Sequence, residues 1–353
     1  MPQFPFLILS SFLFPLLFCS VFSAIGPNAR VDCAPKFGEG KSDCLARGCL
    51  WDGGLLFADQ FIQIATYLPT DLVYGFGENA HQQLKHDFSK YTTWGMFTRD
   101  EAPNPLVENV ENLYGVHPFY LALEPSGKAH GVLILNSNPQ EITTGPAPHL
   151  VYRTIGGQLD LFFFPGPSPE LVVRQYHQFI GRPYLPPYWA FGYQFCRYGY
   201  KDLNDLKATI GRIQAAVIPL DVVFVDIDHM EQYMDFTVGQ QVPFDGIWID
   251  MNEPSSFGTN EKPSAQSHNL QPLQCPLSGT DSQFDKPTYE TINVYQYGSV
   301  LSEKTLCMSA MTMRGQQRMF NTHNLYGWSQ MVATRKALGE IGQNICEKVK
   351  YEI

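Results

Sequence analysis

The chain has 353 residues, is 44% hydrophobic and 14% aromatic, and carries a formal net charge of −10. That length accommodates two domains with sizeable cores, and the composition excludes a disordered chain. Net negative charge without a block of like charges argues against nucleic acid and against an anionic membrane as partners. It suits a neutral substrate or a mildly acidic compartment.

Residues 4–24 are almost wholly apolar, and small residues at Val21, Ser23 and Ala24 fit a signal-peptidase site. Residues 1–23 therefore read as a signal peptide, and the chain is expected in the secretory pathway, extracellular or lysosomal. A basic start is missing, and Pro5 and Pro15 interrupt the run. The alternative is an uncleaved anchor, although the run barely reaches the length of a membrane span. No later segment is long and apolar enough to cross a membrane, so no stable span is expected after cleavage.

Of eight cysteines, Cys19 leaves with the signal peptide. Cys33, Cys44, Cys49, Cys196, Cys275, Cys307 and Cys346 remain. An odd number in an oxidising compartment requires a free thiol, an intermolecular bond or a missing partner. No pair has Cys-x-x-Cys spacing and the nine histidines are scattered, so neither a metal site nor a cofactor is expected. Nothing in the sequence sets the oligomeric state.

Residues 56–182 read as β-rich. Phe61-Ile-Gln-Ile-Ala and Pro118 to Glu124 alternate in the strand manner, and Gly131 to Asn136 and Leu159 to Phe164 are short strands between Gly, Pro and Asn turns. Such a series predicts a β-sandwich. Ser168-Pro-Glu170 starts a helix that runs to about Ile180. Gly181-Arg-Pro183 breaks it, and Pro186-Pro187 marks a domain boundary.

The rhythm then changes. Trp189 to Phe195 reads as a strand, Asp202 to Ala216 as a helix, and Asp221 to Asp228 as a buried strand ending in carboxylates. Strand–helix–strand at this spacing predicts a βα barrel or a doubly wound sheet. Phe244 to Asp250 is a nearly continuous apolar run that predicts another buried strand. Period-2 geometry would put Trp248 and Asp250 on one face, and Pro254 stops the ladder. Asp250 and Glu253 are thereby expected at a strand's C-terminal end, where parallel sheets and barrels place active sites.

The string Trp-Ile-Asp-Met-Asn-Glu-Pro-Ser-Ser-Phe at 248–257 resembles the signature of glycoside hydrolase family 31, the family of the acid and intestinal α-glucosidases. Further resemblances are Phe76 to Gln82, Phe97 to Asp100 and Asn112 to Val116 in the β-rich region, then Tyr193 to Tyr200 and Pro219 to Met230. They imply a galactose-mutarotase-like N-terminal β-sandwich at 56–182, followed by a (β/α)8 catalytic barrel beginning at 186, an all-β domain plus an α/β one. Residues 30–52 resemble part of a P-type trefoil, with Leu50 where an adjacent cysteine belongs.

By this resemblance Asp250 is the nucleophile of a retaining α-glucosidase that needs no metal, and Glu253 belongs to the same catalytic motif. Asp226, with Ile227 beside it, binds the terminal glucose. Tyr198, Trp248 and Met251 line its pocket, and Asp100 with Arg99 contacts sugar hydroxyls. The reading from residue types alone is different for some of these: Arg99–Asp100 would be an exposed ion pair, Trp248 core packing, and Asp228 a structural hydrogen-bonding group.

The expected partners are α-linked glucose oligosaccharides. The pattern also departs from the family. Only residues 229–241 separate Asp228 from Val242, and 186–353 spans 168 residues against about 250 for an eight-fold barrel. An incomplete barrel is implied, without the Gly-Asp-Asn region that carries the acid/base. The resemblance thus predicts either a chain with little activity or, alternatively, a catalytically dead carbohydrate-binding or interaction protein.

Overall fold

The computed structural model describes residues 55–58, 61–81, 83–102, 112–233, 236–237, 245–260, 273–292 and 300–341. The signal peptide and the trefoil-like stretch lie outside them. Two compact units divide the chain: residues to Ile180 with Glu253–Gly327, and Gly181–Asn252 with the residues from Trp328 on. No helix among the described residues is long and apolar enough to cross a membrane.

The first unit is built on two antiparallel sheets. Strands β1 (Leu55–Ala58), β2 (Phe61–Tyr67), β8 (His149–Thr154), β7 (Gln140–Gly145) and β4 (Thr92–Met96) form one in that order. Strands β3 (Val73–Asn79), β5 (Asn112–Leu123), β6 (Ala129–Leu135) and β9 (Asp160–Phe164) form the other. Alternation along each strand explains the layers. Tyr120, Ala122, Val132 and Ile134 face Trp94, Met96, Ile142, Leu150 and Tyr152 across the sandwich core. Their neighbours Phe119 and Leu133 point the other way, onto Val172 of helix α1 (Pro169–Ile180). Ser168 caps that helix, its Oγ accepting from Leu171 N at 3.3 Å, as its sequence predicts.

The outer face of the five-stranded sheet is covered by residues that come much later in the chain. Phe61, Phe97 and Ile155 bury against Tyr289, Leu301, Met308, Met319 and Phe320. The Glu141 carboxylate accepts from Ile292 N at 2.7 Å, and Asn138 Nδ2 donates to Phe320 O at 3.0 Å. A disulfide joins Cys275 to Cys307, 32 residues apart. Segment 253–327 therefore belongs structurally to the sandwich.

Two buried groups secure that segment. Arg99 is completely buried; its Nη2 donates to Leu301 O at 3.0 Å and its Nη1 to Glu303 O. It is not the surface ion pair that its sequence neighbourhood suggests, because Asp100 pairs instead with Lys304, 3.6 Å away. The positive charge lies near the buried Asp285, whose carboxyl is pushed up by desolvation and pulled back by Ser302, the backbone and Arg99. His323, also completely buried, stacks on Phe97 at 4.0 Å. Its ring nitrogens meet Thr98 Oγ1 at 3.0 Å and Thr305 Oγ1 at 2.8 Å. Burial and the Arg99 charge lower its pKa to about 3.

The second unit is slighter. Strand β10 (Gln194–Cys196) pairs parallel with β11 (Val222–Phe224), Cys196 opposite Phe224. Helix α2 (Leu203–Ala215) crosses between them, with Asp202 Oδ1 accepting from Asn204 N at 2.8 Å and Asp205 N at 2.9 Å. Helix α3 spans Tyr326–Ile341. Three strand expectations need correction here. Residues 188–191 make a 3-10 turn ahead of the short β10, and Asp226–His229 makes another after β11. Residues 245–250 form no strand, and Ile247 and Trp248 are 37% and 36% exposed rather than buried. A strand needs a paired neighbour, and among the described residues β10 and β11 pair only with each other.

Replacing Arg99 by Met leaves the buried Leu301 carbonyl and the partly buried Glu303 carbonyl without their donor and removes the Arg99 charge from the buried Asp285. We expect a loss of about 3–5 kcal/mol, read by urea unfolding. The unfolded chain protonates histidine near pH 6.5, whereas folded His323 resists to about 3. Stability should thus be complete above about pH 6.5 and fall as pH drops through that window, by up to roughly 1.4 kcal/mol per unit. His323→Phe keeps the stack and should flatten that slope, measured by unfolding at several pH values.

Candidate active site

The C-terminal ends of the parallel pair bring together Cys196 and the candidate Asp226. The register that sets Cys196 opposite Phe224 brings the Cys196 thiol to 3.7 Å from Asp226 Oδ2. Desolvation pushes the thiol pKa up, and the charges of Asp226 and then Asp250 push it in the same direction. Two carboxylates from separate segments therefore bear on one sulfur. Among the described residues Cys196 is the free cysteine.

Each carboxylate is held by the same local device. Asp226 Oδ1 accepts from Ile227 N at 2.8 Å, and Asp250 Oδ1 accepts from Met251 N at 2.9 Å. Both turns use left-handed backbone, φ 59° at Asp226 and 62° at Met251. Aspartate tolerates that region comparatively well, whereas methionine there is strained, a conformation that concentrates at functional sites. In each case the second oxygen is left to the surroundings. Asp228 serves differently: its Oδ2 accepts from Gly199 N at 2.6 Å and Tyr200 N at 2.8 Å. It fixes the loop after β10, the structural role its sequence suggests.

Of the apolar candidates, Trp248 lines a cavity with Asp250, whereas Tyr198, Ile227 and Met251 are not on its wall. Trp248 meets Phe224 edge-on at 5.5 Å, and the Tyr198 ring lies 6.4 Å from Tyr233. Ile227 is buried. Ile247, Trp248, Ile249 and Asp250 all line a cavity of about 130 Å³ together with His229, Met230, Gln330 and Thr334. Four consecutive residues on one cavity wall replace the two-faced alternation expected of a strand. Among the described residues no cluster of three or more His, Cys, Asp or Glu could hold a metal ion.

Asp100 and Glu253 belong to the first unit. Asp100 is held by Lys304, whose Nζ also donates to its carbonyl at 2.7 Å. Glu253 is buried, and its Oε2 accepts from Ser255 Oγ at 2.6 Å. Sequence reasoning missed Cys196 as a member of the site. The odd cysteine count signals a free thiol, but only the strand register shows which residue stands beside Asp226.

If both carboxylates raise the Cys196 pKa, Asp226→Asn and Asp250→Asn should each shift the pH profile of Cys196 alkylation to lower pH. Peptide mapping of the modified cysteine reads this. An unchanged profile in Asp250→Asn would separate Asp250 from the thiol.

Comparison with known proteins then places the chain. The model of the glycosyl hydrolases family 31 TIM-barrel domain matches residues 183–243 and 238–346. Those two pieces meet where the sequence departs from its pattern. The glycosyl hydrolase 31 N-terminal galactose mutarotase-like domain matches 53–142, and the trefoil (P-type) domain matches 23–54. Intestinal sucrase-isomaltase of Rattus norvegicus is 51% identical over 195 residues, which are 54% of this chain and 10% of that protein. Probable maltase-glucoamylase 2 of Homo sapiens is 31% identical over 83% of this chain and 16% of its own length. Lysosomal alpha-glucosidase of Rattus norvegicus is 31% identical over 80% of this chain and 37% of its own. The chain thus spans a minor part of each relative. A solved family 31 alpha-glucosidase from Bacteroides thetaiotaomicron is 26% identical, with a TM-score of 0.41 over 50% of this chain and 29% of that one. The sandwich and barrel models together cover most of the described residues, and the chain belongs to glycoside hydrolase family 31.

Proposed function

We propose that this chain carries the nucleophile side of a retaining α-glucosidase site for maltose-like α-linked glucosides. The observation that carries the reading is the placement of Asp250 on the wall of a cavity with Ile247, Trp248 and Ile249, while Asp226 stands beside Cys196 at the ends of the parallel pair. Asp250 attacks the anomeric carbon, the bond to the leaving group breaks, and a glucosyl ester forms on the carboxylate. Asp226 accepts hydrogen bonds from the terminal glucose hydroxyls, with Ile227, Tyr198, Trp248 and Met251 supplying its apolar surroundings. By the family resemblance Asp100, on the first unit, is assigned a sugar contact of its own. Glu253 belongs to the motif through its turn, its carboxylate being engaged by Ser255.

Retaining hydrolysis needs a second carboxyl group about 5–5.5 Å from the nucleophile to protonate the leaving oxygen. No residue of this sequence is assigned to that role, so turnover of maltose by the chain is expected to be slow or absent. Membership of the family and the trefoil match support a secretory location, extracellular or lysosomal.

A probe whose leaving group needs no proton isolates the nucleophile. With 5-fluoro-α-glucosyl fluoride, fluoride departs unaided. Intact mass should show one added fluoroglucosyl group, located on the Asp250 peptide and absent in Asp250→Asn. No label on the folded protein would sink the nucleophile assignment. Saturable maltose binding without labelling would instead favour a carbohydrate-binding protein, a reading that the unassigned acid/base also permits.

A further inference from the structure

The far end of the five-stranded sheet holds an aromatic row that the proposed chemistry does not use. Tyr67 pairs with His149, and His149 with Gly145. Tyr91 precedes Thr92, which pairs with Thr144, so Tyr91 falls beside Gly145. These four positions cross the sheet in line on its outer face. Tyr67 is 41% exposed and Tyr91 64%. His149 between them is almost wholly buried.

The exposed rings are held rather than loose. A Cβ added to Gly145 would lie 2.3 Å from Tyr91 Cδ1 and Cε1, so the ring rests where only glycine leaves room. Tyr91 Oη lies 3.4 Å from His149 Nδ1. The Tyr67 and His149 rings are 5.2 Å apart. His149 Nε2 is buried without a hydrogen-bond partner, and burial with the nearby Arg153 charge holds the ring below the ordinary imidazole pKa.

A groove of about 440 Å³ opens on the same loops, lined by Asp71, Lys85, Asp87, Phe88, Ser89, Ala147 and Pro148. Leu68 N donates to Pro148 O at 3.0 Å, which ties the loop after Tyr67 to the turn before His149. The carboxylates and the ammonium offer acceptors and donors at fixed places, since Lys85 Nζ is 2.9 Å from Asp71 Oδ2 and Asp87 Oδ1 accepts from Ser89 N at 2.8 Å.

Exposed aromatic faces, rigidly placed beside a few polar groups of both kinds, match one ligand class well. A pyranose presents apolar C–H faces to a ring and hydroxyls that both donate and accept, and it carries no charge to desolvate. Rigid aromatics also lose little entropy on binding. We propose that the exposed rings of Tyr67 and Tyr91, braced by the buried His149 between them, form with the adjoining groove an accessory sugar-binding platform on the β-sandwich that holds a linear α-linked glucan chain. The choice of α-glucan among sugars rests on the proposed function.

The test is electrophoresis of the full chain in gels containing soluble amylopectin. Wild type and Asp250→Asn should be retarded equally, and more than in hydroxyethylcellulose. Tyr91→Ala should weaken retardation about tenfold, and Tyr91→Phe should retain it. Gly145→Ala keeps every platform side chain but displaces the Tyr91 ring, so it should weaken retardation as Tyr91→Ala does, at an unchanged melting temperature. Absence of retardation in wild type, equal retardation in both polysaccharides, or full retardation in Gly145→Ala and Tyr91→Ala would each overturn the proposal. Loss of retardation in Asp250→Asn would also overturn it by moving the binding to the candidate active site. Failure of fluorosugar labelling with retardation intact would count against the nucleophile alone.

Discussion

A guanidinium buried without water must find acceptors, and Arg99 finds them on residues two hundred positions away. Its bonds to Leu301 O and Glu303 O fix the path of the 300–305 loop against the end of the five-stranded sheet. Further contacts of the described residues in 300–327 lie along the same seam. His323 can bury between Thr98 and Thr305 because those hydroxyls are already brought together. Asn324 Oδ1 accepts from Thr98 N at 2.9 Å, which extends the same seam. Removing the charge would therefore loosen an entire polar layer as well as one contact.

The boundary between the two units falls inside the family motif at 248–257. The motif's ten residues are contiguous in the chain, yet Asp250 to Asn252 group with the parallel strands while Glu253 onward groups with the sandwich. Glu253 is accordingly occupied in its own unit, by Ser255 at its carboxylate and by Thr98 at its carbonyl. Asp250 is placed by a different set of forces, a left-handed turn at Met251 and the hydrogen bond from its N–H. The two acids of one motif thus answer to different local constraints. A purely sequential argument, which sees two residues between them, treats them as one feature.

Much of the sandwich was legible. The alternation at Phe61–Ala65 and at Pro118–Glu124 follows from the two-residue period of a strand, and Ser168 announces its helix by its capping chemistry. Asp202 does the same for α2, and Asp228 appears in the backbone-binding role read for it. The misreadings have a common origin. Ile247 to Asp250 has the composition of a buried strand, but composition states a preference for being paired and supplies no partner. Without a neighbouring strand the same residues line a cavity with no ladder partner among the described residues. Arg99 was misread for the converse reason: a charged pair in a loop is surface by default, and only a distant set of carbonyls makes burial tolerable.

The sequence by itself determined the strands of the sandwich, the two capped helices and the candidate carboxylates, because strand period, helix capping and the family motif at 248–257 are properties of adjacent residues. It therefore named Asp250 and Asp226 without knowing their neighbours. Tertiary structure alone decided what stands next to them. The pairing of β10 with β11 puts Cys196 beside Asp226, segment 253–327 closes over the outer sheet, and Tyr67, His149 and Tyr91 line up from three strands. Each of these depends on contacts between residues far apart in the chain, whose register is set by ladder hydrogen bonds and burial that no local pattern encodes.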